Sequence, residues 1–480
     1  MSALSRAAGL TCALVLLAGC HHDPPEHDEV VKEALPKEVI RGDWSAGKGP
    51  WSTVARGAKV QDAWLKSFGD PVLDGLVAEG LKHNLMLRGV AARVAAATGA
   101  ARLAGAKLKP VIGVGGGASV GALAGLNRND GFGAAAQGSW EIDVWGRLHA
   151  IAEAGEEELA AAEADFEFAR QSLAGLIAKS WWFCAEIQLH HGIAEEAVKL
   201  AEEAHAIVRA QRRAGRAREQ DVLQAEAEVH AARERTLQAE GALEQARRAL
   251  ELLLGRYPAA ELEVRAGFPQ LPGPVPAGLP SALLERRFDL VAAERRVRAQ
   301  FLRTKAAKLA HLPQITLSAQ GGLSSKLDDL LRQGPEFWSV GANFYQPVYT
   351  GGAIEAAVEI ETAKQEAALA SYGQKALVAF GEVENALGNE RLYAKREGHL
   401  RKVLGAEEGN LRVAESAHRT GKVGKLALIQ ARGRLLGARS LLVEIQGARL
   451  VQRVELHMVL GGSFELPKRA KTEPASTKSD

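Results

Sequence analysis

The chain lacks an excess of either charge: 60 basic residues stand against 58 acidic ones. A dedicated nucleic-acid binder normally carries a basic surplus, so that class is excluded. Cysteine is almost missing, with three residues, Cys12, Cys20 and Cys184. No internal disulfide is expected. After residue 40 no apolar run approaches the roughly 20 residues of a membrane-spanning helix, so any crossing of a bilayer must be made by strands. A catalytic constellation is missing too. Glu382 with Glu384, and Glu141 with Asp143, come without a histidine, a nucleophile or a cradle of backbone donors at useful spacing. The run Gly115-Gly116-Gly117 lacks the Lys-Ser/Thr ending of a phosphate loop. The chain is therefore not expected to be an enzyme. Aromatics are scarce at 5%, while Ala, Leu, Glu and Arg abound, a balance that favours long helices. Gly is also plentiful, with 50 residues, so the chain is not pure coiled coil.

The N-terminus reads as a secretory signal over 1–19. Arg6 precedes a short apolar run, Leu10 to Ala18, which ends in Leu17-Ala18-Gly19-Cys20. Small residues before Cys20 resemble the bacterial lipobox, which implies cleavage there and lipidation of Cys20. An ordinary signal peptide with an incidental cysteine is the competing reading. His21 rather than Asp after the cysteine is compatible, by the lipoprotein rule, with export to the outer membrane. Residues 20–60 then form the anchor and a tether. His21, His22 and His27 sit there among Asp and Pro. A flexible, solvated segment suits them better than a metal site, because no ligand spacing is evident. Cys184, in Trp181-Trp182-Phe183-Cys184, reads as a buried structural thiol.

The chain is written twice. Gly215 matches Gly421, Gln224 matches Gln430 and Leu254 matches Leu460, all at an offset of 206 (421 − 215, 430 − 224, 460 − 254). Upstream, Arg93 matches Arg296 and Pro110 matches Pro313, at 203 (296 − 93, 313 − 110). The drift belongs in the intervening loops. The first repeat covers 61–265 and the second 266–465, leaving a Lys-rich tail, 466–480, that is expected to be disordered. Each repeat reads helix, two strands, long helix, glycine turn, helix.

Strands are expected at about 110–122, 131–145, 313–324 and 336–348. In the last of the first pair, Trp140, Ile142 and Val144 alternate with Glu141 and Asp143. The same alternation runs through Ile315, Leu317 and Ala319, and through Trp338, Val340, Ala342 and Phe344. Each stretch has the length of a tilted membrane strand, with one apolar face for lipid and one small or polar face for a wet lumen. Glu141 and Asp143 would face that lumen. The competing reading packs two hairpins on the helices of a soluble protein, since alternation alone does not separate lipid from a protein core. Open strand edges are not tolerated in lipid, so four membrane strands would require further chains to close a barrel. The helices carry a heptad seam, Val222, Ala225, Val229, Ala232, Thr236, Ala239, Leu243, Ala246, Leu250 and Leu253. Its counterpart, from Leu428 to Ile445, then meets Arg449 and Gln452 and should weaken there.

Together these residues resemble the TolC-type outer membrane efflux family, specifically its lipoprotein subunits. The resemblance rests on the lipobox, Phe68-Gly69-Asp70-Pro71, Trp140 through Arg147, Asp221 through Ala227 and Leu283 through Arg287. Gln346-Pro347 with Gly351-Gly352, and Glu382 through Leu387, complete it. It covers nearly the whole chain after the signal. It implies a mixed α and β fold, in which long antiparallel helices form a coiled-coil barrel below a transmembrane β-barrel. Four strands per chain make twelve per homotrimer. It implies a tripartite efflux pump exporting small molecules, with a periplasmic adaptor (membrane fusion) protein and an inner-membrane transporter of RND type as partners. It implies outer membrane lipid around the barrel, no nucleic acid, and no cofactor beyond the lipid on Cys20.

The resemblance places the periplasmic tips at Gly215 and Gly421, and an acidic gate just after the second tip. This sequence departs from that pattern, with Ala427 and Gln430 at the corresponding positions. Its tips are basic instead, with Arg209, Arg212, Arg213, Arg216 and Arg218 at one and Arg419, Lys422 and Lys425 at the other. They read either as an adaptor surface or charged entrance, or as solvated helix faces. Two further readings stand beside the small-molecule duct. One is a lipid-anchored periplasmic coiled-coil scaffold or adaptor; the other is an outer membrane duct for proteins or metal ions.

Overall fold

The structure is a computed structural model, which describes residues 24–35, 60, 62–121, 129–276, 280–326 and 336–465. The signal segment, Cys20 and the tail 466–480 lie outside the described residues. After a short helix α1 (His27–Ala34) and a 3-10 turn (Trp64–Phe68), the first repeat runs α2 (Pro71–His83), α3 (Leu85–Ala106), β1 (Val111–Gly121) and β2 (Asn129–Ile142). It continues with α4 (Arg147–Arg213) and α5 (Glu219–Leu254). The second runs α6 (Pro280–Arg286), α7 (Phe288–Leu309), β3 (Gln314–Lys326), β4 (Glu336–Tyr345), α8 (Ala353–Arg419) and α9 (Lys425–Val459).

The repeat is kept element by element. Helices α3 and α7 are both 22 residues long and start 203 apart (288 − 85). Helices α4 and α8 are both 67 residues long and start 206 apart (353 − 147). The three-residue drift therefore falls within the strand hairpins. At 1.5 Å per residue α4 and α8 are each about 100 Å long. Neither contains a proline, so nothing in the sequence interrupts their hydrogen-bond ladders.

The fold has two compact units. One comprises described residues within 1–39, 95–162 and 292–374, and holds the four strands. They form one antiparallel sheet in the order β1-β2-β3-β4. Beneath it Ala150 and Ala154 of α4 pack on Leu302 and Ala306 of α7. The small alanines let the helices approach closely. Gly155 extends that contact, facing the Ala101 and Ala104 side of α3. Gln300 and Thr304 of α7 both bond to the Glu361 backbone carbonyl on α8.

The other unit comprises described residues within 40–94, 163–291 and 375–480. Its core gathers Trp64, Phe68, Leu73, Ile177, Trp181, Trp182, Leu250, Leu254 and Val454. The segment Phe68-Gly69-Asp70-Pro71 is the joint that seats α2 on this core. Phe68 is buried, Gly69 takes a left-handed conformation (φ 63°), and Pro71 opens the helix. Asp70 caps that helix by accepting from the Val72 and Leu73 backbone N–H groups. Its other oxygen accepts from the Trp181 indole at 2.9 Å, so one carboxylate joins a helix start to the core.

The seam of α5 buries Val229, Ala232, Leu243, Ala246 and Leu250, then Leu254 in place of the expected Leu253. A straight helix drifts against a strict seven-residue repeat, and the seam ends where the tilt shifts it by one position. The α9 seam gives way, as its polar residues foretell, to a buried polar cluster. Gln452 donates to the Ala386 carbonyl. Arg453 donates to the carbonyls of Pro272 and Gly273, in the segment joining the repeats, and to Glu390. Arg449 and Arg401 both bond Glu397. Burial alone would raise the Glu397 carboxyl, but the two guanidinium groups outweigh it and hold it below its ordinary range.

The expected solvated tether needs correction at His27. Residues 27–34 are helical, with Val30, Val31 and Leu35 buried and His27 bonded to Glu294. The apolar pair Val30-Val31 gives this short segment a buried face that its charged neighbours mask in the sequence.

Candidate channel wall and helical tips

The register decides which strand residues share a face. Residues directly opposite in an antiparallel pair project to the same side. Trp140 lies opposite Leu317, Ile142 opposite Ile315, Ala136 opposite Gly321 and Ala134 opposite Leu323. Across the next pair, Ile315 meets Phe344, Leu317 meets Ala342, Ala319 meets Val340 and Gly321 meets Trp338. Val114 of β1 meets Ala136. One face of the sheet is therefore largely apolar, with Glu336 opposite Leu323 at its far end. The other carries Gln137, Ser139, Glu141, Thr316, Ser318, Gln320, Ser339 and Asn343.

No strand residue whose side chain is described is buried on either face. Val114 is 82% exposed, Trp338 81% and Val340 73%. The sheet is thus not a hairpin pair packed on helices, which would bury one face. Its apolar side is a large exposed surface, of the kind soluble monomers avoid. Edges β1 and β4 are unpaired among the described residues. An aromatic group, Phe344, Tyr345 and Tyr349, lies exposed at the end where the chain passes from β4 to α8. Such residues suit the boundary between lipid and water.

The segment Trp140 through Arg147 is the corner from strand to long helix. The Trp140 indole donates to the Leu108 carbonyl, and the Trp145 indole to the Pro313 carbonyl, at 3.0 and 2.7 Å. Glu141 pairs with Arg147 at 2.6 Å. Asp143 lies one residue past the end of β2, which stops at Ile142 rather than near 145. It accepts from the His149 backbone N–H at 2.7 Å and from the His149 ring. Burial would raise its pKa, but these bonds and one from the Leu148 backbone hold the carboxyl below its usual range. Glu141 therefore stands on the polar face of the sheet, whereas Asp143 is taken up at the start of α4. The strand cannot continue because Gly146 turns left-handed (φ 78°) and starts the helix.

The tips are two copies of one turn. At the first, the Gly215 N–H bonds the Arg212 carbonyl and the Arg216 N–H the Gln211 carbonyl. At the second, Gly421 bonds His418 and Lys422 bonds Ala417 in the same way. This is the Schellman pattern, which needs a left-handed residue; φ is 68° at Gly215 and 73° at Gly421. Arg212, Arg218 and Lys425 are engaged by Glu219, Asp221 and Glu203. The last pair, at 2.5 Å, joins α9 to α4. Arg213, Arg216, Arg419 and Lys422 are exposed and have no ion pair among the described residues. Ala427 is half-buried in the first turn of α9, and Gln430 is exposed two residues past Leu428 of the seam.

Each half of the chain matches the family model described as outer membrane efflux protein, over residues 76–256 and 279–462. The chain belongs to the outer membrane efflux protein family. The probable efflux pump outer membrane protein TtgC of Pseudomonas putida is 26% identical over 467 residues, covering 95% of both chains. The probable outer membrane lipoprotein SilC of Salmonella typhimurium is 26% identical over 466 residues, 94% of this chain and 97% of that one. Among solved structures, the outer-membrane channel OprN superposes with a TM-score of 0.78 at 26% identity, over 93% of this chain and 99% of that one. The protein is accordingly an outer membrane efflux channel, with helical-barrel and β-barrel parts, of a family whose members are ducts.

Sequence reasoning missed one group inside the helical part. Glu186 of α4 lies against Gly447 of α9, where a Cβ would fall on its carboxylate. His190 is 3.9 Å from Glu186 and its ring bonds Ser440 at 3.1 Å. Burial, and then the like charge of Glu444, push Glu186 up to about 7. Burial lowers His190. Cys184 nearby is fully buried, and burial pushes its thiol up to about 11, as an inert structural thiol requires. A glycine on a facing helix was the only signal for this contact, and it becomes readable only once the partner helix is known.

Proposed function

We propose that three copies of the chain close one twelve-stranded barrel, and that their long helices continue it as a periplasmic duct. The observation that carries this reading is the sheet: among the described residues it has four strands, two unpaired edges, one largely apolar face and no buried side chain. In lipid each edge must find another strand. A threefold ring of such sheets supplies those partners without any residue having to change face.

The duct performs no chemistry of its own. Its inward strand residues are mostly Gly, Ser, Thr and Gln, joined by Asn343 and Glu141, which make a wet, weakly selective wall. Cys20 carries a covalent lipid and no other cofactor is involved. The tips at Gly215 and Gly421 meet a periplasmic adaptor, which couples the duct to an inner-membrane transporter of RND type, and the cargo is small molecules. Arg213, Arg216, Arg419 and Lys422 give the adaptor or the entering solute a positive surface, in place of the acidic gate absent at Ala427 and Gln430. A threefold arrangement would focus that field.

The deciding experiment is the mass of the full-length protein solubilised by detergent from the outer-membrane fraction. Three chains per particle are expected. A monomer there would sink the closed duct and leave the apolar sheet face without a partner.

A further inference from the structure

The outer strands of the sheet, β1 and β4, each leave one edge unpaired among the described residues. What fits those edges can be read from the repeat. Val111 of β1 lies opposite Ser139 of β2, and Gln314 of β3 opposite Tyr345 of β4. Strand β1 therefore corresponds to β3 at an offset of 203 (314 − 111), and β2 to β4 at 206 (345 − 139). A side-chain contact repeats at the same two offsets. The Trp140 indole donates to the Leu108 carbonyl, and the Gln346 amide to the His311 carbonyl (346 − 140, 311 − 108). The left-handed glycines before the long helices, Gly146 and Gly352, are again 206 apart (352 − 146).

The chain thus holds two copies of one hairpin, and the join between them is β2 with β3. In a closed ring of chains, β4 of one copy beside β1 of the next is that join again. Carrying the offsets across turns Ala136 opposite Gly321 into Ala342 opposite Ala118, and Gly138 opposite Ala319 into Phe344 opposite Gly116. Ser139 opposite Ser318 becomes Tyr345 opposite Gly115, and Ile142 opposite Ile315 becomes Val348 opposite Ile112. The faces agree. Ala342, Phe344, Ala118 and Gly116 all stand on the apolar side, and Tyr345 and Gly115 on the polar one. A slip of one residue would turn apolar side chains into the lumen, so only slips of two compete. Size agrees as well. Phe344 and Tyr345 are exposed in the single chain. A Cβ at Gly115 or Gly117 would meet nothing within 4 Å, so no contact inside the chain asks for glycine at either position. A ring laid over a strand glycine covers backbone that would otherwise stay bare.

We infer that β4 of one copy pairs with β1 of the next in the register of β2 with β3, so that Ala342 lies opposite Ala118 and the pair Phe344-Tyr345 lies over Gly116-Gly115. The inference rests on the threefold barrel proposed above and names the residues that meet at its seam. It extends β4 past Tyr345 to Val348, a segment with no strand partner among the described residues. Pro347, opposite Gly113, has no N–H to give, so the ladder thins at that end.

The test combines Ala118→Cys in turn with Val340→Cys, Ala342→Cys and Phe344→Cys in the full-length protein, in outer membranes oxidised with copper phenanthroline. Opposite residues lie about 5 Å apart between Cα atoms, within disulfide reach, and diagonal ones about 7–8 Å, beyond it. Within one chain position 118 is three strand spacings from β4, about 14 Å, so any bond joins two copies. Cys184 is buried, and Ala118→Cys alone sets the background. The expected result is a reducible covalent trimer from the Ala342→Cys pair, at least about tenfold above the other two. Dominant linkage through Val340→Cys or Phe344→Cys would overturn the register and leave the trimer standing. No linkage from any pair, in a protein whose detergent-solubilised mass is three chains, would overturn the pairing of β4 with β1. A monomeric mass would sink the barrel reading and the seam with it. A further variant needs no cysteine. Tyr345→Ala should lower the temperature at which the solubilised trimer separates into single chains, and an unchanged temperature would overturn the contact of the ring with Gly115.

Discussion

Glu186 makes stability fall as pH rises, opposite to the usual behaviour of a paired carboxylate. Its pKa is near 7 in the folded protein, against an ordinary 4.5. Between those values the folded state holds a proton that the unfolded state has lost. Folding therefore loses stability as pH climbs from about 4.5 to 7, and the loss is complete above 7. At 1.36 kcal/mol per pH unit the ceiling is about 3 kcal/mol. The side chain keeps 17% of its exposure, so solvent screening reduces this to about 1–2 kcal/mol. Glu186→Gln removes the ionisation while keeping the shape. At pH 4, below the ordinary carboxyl value, it should match the natural protein. At pH 8.5 it should raise hydrogen-exchange protection about 5- to 30-fold for amides around 186 and 444–447, the equivalent of 1–2 kcal/mol. Glu444→Gln should act in the same direction but less, because burial is the larger cause. His190 works in the opposite sense, because burial lowers its pKa and so makes stability rise with pH; comparing Glu186→Gln with the natural protein at one pH separates the two. Equal protection of Glu186→Gln and the natural protein at pH 8.5 would refute the reasoning.

Four other outcomes follow from geometry. Arg453→Met strips two linker carbonyls of their donor and leaves Glu390 with only Arg449, at 3.4 Å. A broken buried pair costs about 3–5 kcal/mol, reduced here to about 2–3 because Glu390 is partly solvated, and urea unfolding should show it. Asp70→Ala removes the cap of α2 and the acceptor of the Trp181 indole. A loss of about 2 kcal/mol is expected, with Asp70→Asn recovering only the cap, because its amide nitrogen cannot accept from the indole, read by thermal unfolding. Gly215→Val and Gly421→Val meet open space, so each should cost only the left-handed backbone penalty of about 1–2 kcal/mol, as a lower melting temperature. Changing Arg213, Arg216, Arg419 and Lys422 together to Gln should leave the trimer intact but reduce co-purification of the adaptor; undiminished recovery would assign these residues to plain solvation.

The residues that carry the family resemblance prove to be joints. Phe68 to Pro71 seats α2, and Trp140 to Arg147 turns a strand into a 67-residue helix. Arg287 and Glu382 close a third joint, at 2.5 Å, between the start of α7 and the middle of α8. At such points backbone direction changes and a capping carboxylate, an indole donor or a left-handed glycine is required at one position only. Channel-lining positions ask merely for small or polar side chains, and therefore leave a faint mark on the sequence.

Much of the architecture was legible before any coordinates, because periodicity is a local property. Alternation along Ile315 to Leu323 and Trp338 to Phe344 marks strands, heptads mark α5 and α9, and equal offsets mark the repeat. Polar interruptions at Arg449 and Gln452 announced the end of a seam. Contacts between segments distant in the chain were decided only in three dimensions. The strand register aligned most apolar side chains on one face, with Val111 and Phe337 left on the other, and the exposure of both faces excluded a packed soluble sheet. The drift from Leu253 to Leu254, the loss of Asp143 from the strand to the start of α4, the docking of α1 on Glu294 and the seating of Glu186 on Gly447 depend likewise on partner elements. A side-chain pattern states which surface an element wants covered; only the partner's position determines what covers it, and at what pKa.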